Sequence, residues 1–172
     1  MISETNSAQG KAMIHETNLA QGKAVIFETN SAQETFDLAK RLGEQAKPGA
    51  LYTLSGDLGV GKTVFAQGLA AGLGIAEPVN SPTFTILQVY DGGRLPFYHF
   101  DVYRIGDVGE MDEIGCEDCF YGTGVCLVEW AEQISELLPE ERTQLLIEKD
   151  PKKGFDYRRI TLREVRERRV MP

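Results

Sequence analysis

Residues 56–63 read Gly-Asp-Leu-Gly-Val-Gly-Lys-Thr, the G-x-x-x-x-G-K-T spacing of a loop that wraps nucleotide phosphates. The loop's chemistry depends on its setting between a buried strand and the start of a helix, so it constrains the fold to an α/β class. Gly56, Gly59 and Gly61 free the backbone to turn successive N–H groups inward, and the positive end of a helix dipole is expected near Lys62. Lys62 is expected to reach the β- and γ-phosphates and Thr63 to offer its hydroxyl to Mg²⁺. Asp57, Leu58, Gly59, Val60 and Gly61 line the cradle.

The flanks agree with that setting. ALYTLSG (50–56) reads as a buried strand feeding the loop, and KTVFAQGLAAGLG (62–74) as the helix behind it, stopped by Gly74. Upstream, KAVIFET (23–29) is a strand and SAQETFDLAKRLGEQA (31–46) a helix with Ser31 as N-cap and Glu34 closing a capping box. Phe36, Ala39 and Leu42 recur three apart and Leu38 precedes Leu42 by four, so one helix face can be buried. Downstream, TFTILQVY (83–90) and LPFYHF (95–100) flank a hairpin turn at Asp91-Gly92-Gly93-Arg94, and DVGEMDEIGCEDCF (107–120) reads as short helix plus loop. GVCLVEW (124–130) is a second buried strand, AEQISELL (131–138) a helix, and TQLLIEKD (143–150) with YRRITLRE (157–164) a closing antiparallel pair. Strands alternating with helices, plus two hairpins, imply an α/β fold: a small P-loop NTPase domain over residues 25–162, its mixed parallel and antiparallel sheet flanked by helices.

A chain of 172 residues, 42% hydrophobic, suits one core. Its net charge of −8 is uneven: residues 149–172 carry nine Lys/Arg against four Asp/Glu, whereas residues 99–141 carry one Arg against twelve acids. Such an acidic chain is a poor autonomous binder of nucleic acid, so any RNA is expected to be held by a partner. The basic tail, residues 163–172, is read as a solvated terminus. No apolar run approaches the ~20 residues of a membrane span. Nor does a secretory signal open the chain, so the expected location is the cytoplasm, with no membrane partner. Cys116, Cys119 and Cys126 include a C-x-x-C spacing, but with only His15 and His99 as histidines they read as reduced thiols rather than a metal site. The opening repeats: MISETNSAQGKA, MIHETNLAQGKA and VIFETNSAQETF follow at a period of twelve, the first two sharing ten identities. Units this short build no solenoid, and residues 1–24 read as a tandem-duplicated, dispensable extension.

Nucleotide hydrolysis also needs metal support and a group that orients water. Glu129, ending the apolar strand VCLV, stands where a second acidic element emerges beside such a loop; it either holds the metal or polarises the attacking water. Asp101, at the end of YHFDVYR's strand, supplies another carboxylate, and Thr63, Asp101 and Glu129 together make a sensible Mg²⁺ set. Thr83, in NSPTFT (80–85), is placed to sense a γ-phosphate. Trp130, the only tryptophan, packs on the nucleotide, on a partner or in the core, and His99 is either a hydrogen-bonded core or interface residue or a catalytic one.

GDLGVGKT, SPTF, YHFDVYR and CLVEW, in this order and spacing, closely resemble the TsaE family, formerly YjeE, over roughly residues 25–160. The resemblance implies a P-loop ATPase of bacterial tRNA threonylcarbamoyladenosine biosynthesis. Such an enzyme binds ATP and Mg²⁺, hydrolyses ATP slowly alone, and supports turnover of TsaD and TsaB, which act on the tRNA. By motif match it makes Lys62, Thr83, Asp101 and Glu129 the catalytic set, with Thr63, Asp101 and Glu129 around the metal and Trp130 beside the nucleotide. It further implies nucleotide contacts from a threonine in the first helix, which Thr35 fits, and from a basic residue near the closing strands, which Arg158 fits loosely. The repeats and the C-x-x-C depart from the family pattern without touching its motifs.

Two rivals share the loop. A small-molecule kinase needs arginines to clamp acceptor and phosphate, yet only Arg94 and Arg104 lie between the loop and Glu129. A GTPase-like switch would use Asp112-Glu113-Ile114-Gly115 as D-x-x-G, but no N-K-x-D element follows to read guanine.

Overall fold

The computed structural model describes residues 13–19 and 22–166 of the chain. Eight strands form one sheet: β1 (Met13–Leu19), β2 (Gly22–Thr29), β3 (Leu51–Ser55), β4 (Leu87–Tyr90), β5 (Phe97–Asp101), β6 (Val125–Glu129), β7 (Glu141–Lys149) and β8 (Arg158–Arg166). Their order is β1-β2-β8-β7-β3-β6-β5-β4. The four central strands run parallel, β3 pairing with β6 and β7 and β6 with β5, while every pairing outside them is antiparallel. Central parallel strands are covered on both faces, which is why LYTL and VCLVE are buried without alternation.

Two helices cover one face. α1 (Ala32–Gln45) begins at Ser31, whose Oγ accepts from Glu34 N at 3.1 Å. The Glu34 carboxylate closes the box one residue earlier than a capping box requires, accepting from Asn30 N at 2.7 Å. α2 (Lys62–Gly72) follows the phosphate loop and ends where Gly74 takes φ +82°. At the α1–α2 crossing the backbones nearly touch: a Cβ on Gly72 would lie 2.1 Å from Lys40 O, and one on Gly43 2.2 Å from Leu69 O. Beneath the two helices lies a core of Leu38, Leu54, Phe65, Leu69, Phe97 and Leu127.

The opposite face is covered by two short helices, α3 (Gly109–Ile114) and α4 (Cys116–Phe120), joined at Gly115, and by η1 (Ala131–Leu137). Phe100, Met111, Phe120, Val128 and Ile134 form its core. AEQISELL, expected as a helix, is a 3-10 helix kinked at Ile134. Two expectations shift here. Residues 83–86, expected in a strand, form a turn, and β4 starts only at Leu87. β8 runs on to Arg166, so the first residues assigned to the tail complete a strand register with β7, from Lys149↔Arg158 to Glu141↔Arg166.

The second repeat copy supplies β1, which pairs with β2 from Met13↔Glu28 to Leu19↔Gly22. A strand here went unforeseen because the duplicated sequence reads as an isolated extension until β2 offers it an edge. The first repeat copy, residues 1–12, and the end of the tail, residues 167–172, lie outside the described residues.

Candidate active site at the carboxyl edge of the central strands

Parallel register gathers the acidic residues beside the loop. Leu54, the penultimate residue of β3, pairs with Glu129, and Glu129 pairs with Asp101. With strands ~4.8 Å apart, these three residues span about 10 Å across the sheet. Alternation then sets their direction. Phe97 on β5, Val125 and Leu127 on β6, and Leu54 on β3 all pack in the α1–α2 core, so His99, Asp101 and Glu129, at even spacing from them, share that face. The loop leaves β3 and turns into α2 on this same side.

The loop takes the conformations its glycines permit: φ is +154° at Gly56, +72° at Gly59 and +109° at Gly61, the N-cap of α2. A side chain at Gly56 would strike Ile147 O and Val60 Cγ1 at 2.7 Å, whereas a Cβ at Gly61 would meet nothing within 4 Å. The loop is thus braced by β7 at Gly56 and open at the helix mouth. Lys62 Nζ arches over it, donating to Gly56 O at 2.6 Å and Asp57 O at 3.2 Å, and lies 5.8 Å from the Trp130 ring centroid. Asp57 and Leu58 form the exposed shoulder, Leu58 at 94%. Val60 is buried, and Thr63 projects to solvent on the first turn of α2. Open space, a helix N-terminus and an adjacent ammonium are what an anionic phosphate chain requires.

The two carboxylates are held differently. Asp101 Oδ2 accepts from Thr83 Oγ1 at 3.2 Å and Ser81 Oγ at 3.4 Å, those hydroxyls lie 2.9 Å apart, and Oδ1 accepts from Tyr103 N at 3.1 Å. Thr83 therefore meets the site through Asp101. Glu129 is buried, and its Oε1 lies 2.8 Å from His99 Nε2. Immediately after it the chain turns through a left-handed Trp130, φ +61°, whose ring meets Tyr103 at a centroid distance of 4.8 Å. Non-glycine residues at positive φ cost on the order of 1–3 kcal/mol and persist where surroundings impose them. Here the turn places the indole over Lys62 directly after the carboxylate leaves its strand. Ile86, φ +65°, is the second such residue, and its carbonyl accepts from Asp101 N at 2.8 Å.

Two further expected residues are held by the protein's own groups. Thr35 is 2% exposed on α1, its hydroxyl 2.7 Å from that of Thr29. Arg158 braces the loop from β8, donating through Nε to Val60 O at 2.6 Å and through Nη1 to Phe155 O and Tyr157 O. Sequence reasoning missed Ser81, Tyr103 and Lys149, whose Nζ lies 4.0 Å from where a Gly59 Cβ would stand. Ser81 and Tyr103 lie inside the SPTF and YHFDVYR motifs, which was the signal that could have found them; Lys149 had none, since only the β3–β7 pairing brings it near. The cysteines are free thiols, Cys126 Sγ donating to Cys119 O at 3.3 Å, and among the described residues no group of three His, Cys, Asp or Glu could hold a metal.

Fold and loop together define a small α/β domain of the P-loop NTPase class, its mixed sheet flanked by helices. The profile of the family described as "Threonylcarbamoyl adenosine biosynthesis protein TsaE" matches residues 29–160. The chain is 51% identical over 139 residues to the tRNA threonylcarbamoyladenosine biosynthesis protein TsaE of Bacillus subtilis, covering 81% of this chain and 85% of that one. To the protein of the same name from Treponema pallidum it is 47% identical over 108 residues, 63% of this chain and 79% of the other. The crystal structure of Bacillus subtilis YdiB superposes with a TM-score of 0.70 at 41% identity, covering 91% of this chain and 90% of that one. The chain belongs to the TsaE family, whose members take part in tRNA threonylcarbamoyladenosine biosynthesis.

Proposed function

We propose that the chain is an ATPase of tRNA N6-threonylcarbamoyladenosine formation, binding ATP with Mg²⁺ and supporting the turnover of a TsaD–TsaB transfer complex. The observation that carries this reading is the register Leu54–Glu129–Asp101, which sets two carboxylates from different strands beside the end of the strand that feeds the phosphate loop.

In this reading the loop amides and Lys62 hold the phosphates, the Lys62 ammonium exchanging its two loop carbonyls for phosphate oxygens. Thr63, Asp101 and Glu129 are the residues that would hold Mg²⁺, which when bound neutralises charge developing on the phosphoryl oxygens. Glu129 accepts from or orients the attacking water through the oxygen that His99 leaves unbonded. Thr83 and Ser81, hydrogen-bonded to Asp101, couple the 80–86 loop to the occupancy of the site. Trp130 and Tyr103 form an aromatic wall beside Lys62. Arg158 supports the loop from behind, and Thr35 supports α1 against Thr29.

Exposed apolar side chains support a protein partner. Leu58, Phe84 and Phe155 are 94%, 82% and 88% exposed, and all three stand on loops at the carboxyl edge of the central strands. The partner, rather than this acidic chain, would hold the tRNA, in keeping with the charge of −8. Action in the cytoplasm follows from that substrate, and no described helix is long and apolar enough to cross a membrane.

The kinase reading loses its arginines. Arg94 donates to Gly43 O, Glu44 O and Ala46 O at the end of α1, and Arg104 lies 4.5 Å over the Phe84 ring. Depleting the protein in its native host is expected to lower threonylcarbamoyladenosine in tRNA digests measured by mass spectrometry. Unchanged levels would remove the function proposed.

A further inference from the structure

His99 is a buried ionisable group to which the nucleotide chemistry above gives no role of its own. It is 0% exposed, lies on β5 two residues before Asp101, and stacks on Phe97 at 5.9 Å between centroids. The register pairs His99 with Leu127 and Asp101 with Glu129, so the imidazole stands diagonally behind the glutamate on the loop-facing side of the sheet. Its Nε2 lies 2.8 Å from Glu129 Oε1. An ionised carboxylate only accepts, so the proton of this bond belongs to Nε2. Nδ1 has no hydrogen-bond partner among the described residues.

The bond that the buried ring makes to a side chain is directed at the Glu129 carboxylate, and a hydrogen bond to a charged group is among the stronger ones a side chain can make. A glutamate has three side-chain torsions, and the hydrogen bond that restrains the Glu129 carboxylate among the described residues is the one to His99. We infer that His99 is a positioning residue: it ties down Glu129 Oε1 and leaves Oε2 as the single oxygen presented to the reacting phosphate. One committed oxygen also restricts Glu129 to monodentate contact, which suits a small octahedral cation or one water. The inference rests on the hydrolytic role proposed for Glu129 and deepens it.

The test uses the full-length protein, with ATP affinity read from quenching of Trp130, the only tryptophan, and steady-state hydrolysis read separately. A Gln amide nitrogen reproduces the position of Nε2, whereas that of Asn falls at Nδ1 and cannot reach Glu129. His99→Gln is expected to keep kcat within about threefold of the parent, and His99→Asn to lose about tenfold or more, as expected for a hydrogen bond to a charged group. KM and ATP affinity are expected to change less than about twofold in both, since phosphate binding rests on Lys62 and the loop. Equal kcat in the Asn variant and the parent, or equal losses in Gln and Asn, would overturn the positioning role. So would a fall in ATP affinity matching the fall in kcat. Glu129→Gln separates the two levels: a slow Glu129→Gln beside a normal His99→Asn removes only the histidine, while a Glu129→Gln that hydrolyses normally removes the glutamate's role and the inference with it. If His99→Asn does not fold, His99→Gln alone decides, a tenfold loss of kcat in the folded protein counting against the inference.

Discussion

Arg158 Nε donates to the carbonyl oxygen of Val60 at 2.6 Å, so the first residue of β8 holds the inner turn of the phosphate loop. The two residues are 98 apart in sequence, and β7 lies in the sheet between β8 and β3, the strand that feeds the loop. The resemblance put a basic residue here in direct contact with nucleotide. In the structure its guanidinium is bonded to the protein's own carbonyls, those of Val60, Phe155 and Tyr157.

Arg158→Ala therefore acts through the loop. Losing hydrogen bonds from a charged donor removes about 1.5–3 kcal/mol. A fall in ATP affinity of roughly tenfold is expected by fluorescent-nucleotide titration, and Arg158→Lys recovers little because a lysine cannot reproduce the fork. Affinity equal to the parent in Arg158→Ala would show that the loop holds its shape unaided.

Lys62→Ala should weaken ATP binding by at least tenfold, each charge-assisted bond to phosphate contributing about 1.5–3 kcal/mol. Stability should change little, because the ammonium is bonded only to exposed or half-buried loop carbonyls. Parallel titration and urea melts check both halves, and a large loss of stability with intact binding would reverse the assignment.

Gly72→Ala probes the helix crossing. A methyl 2.1 Å from Lys40 O and 2.8 Å from Glu44 N meets the α1 backbone at two points, so α1 must move away from α2. Overpacking of this kind costs about 1–3 kcal/mol, and more when backbone is the obstacle. A lower urea midpoint at unchanged m-value is the expected result; a neutral substitution would mean that the helices slide freely.

The thiols predict an alkaline limit. Burial pushes the Cys126 thiol far above its ordinary value of 9.0, and the nearby Cys119 adds to the shift. Burial likewise raises Cys116 and Cys119. In the unfolded chain these thiols ionise near 9, in the fold later, so the unfolded state loses protons first. The stability they contribute is complete below that value and declines as pH rises above it, for the deeply buried Cys126 by up to about 1.4 kcal/mol per pH unit. Urea melts at pH 8 and pH 10 should show the decline. At neutral pH, iodoacetamide should leave Cys116 and Cys126 unmodified in the folded protein and label them after denaturation.

Periodicity and motif spacing were enough to read the α/β class, the strand–loop–helix around Lys62 and the two hairpins at β4–β5 and β7–β8, because those features are local. Ser31 as N-cap and Gly74 as a helix stop were legible for the same reason. The partners of those elements were not. The fate of the second repeat copy depended on an open edge at β2.

The sequence by itself determined which side chains carry the chemistry: glycines that permit positive φ, a lysine and a threonine opening a helix, and acids that end apolar strands. Tertiary structure alone decided which of them meet. Parallel pairing brought Asp101 and Glu129 into one layer, the alternation of β5 aimed His99 at Glu129, and β8 lent Arg158 to a loop 98 residues away. Those meetings span distant segments, and strand register, not local spacing, sets them.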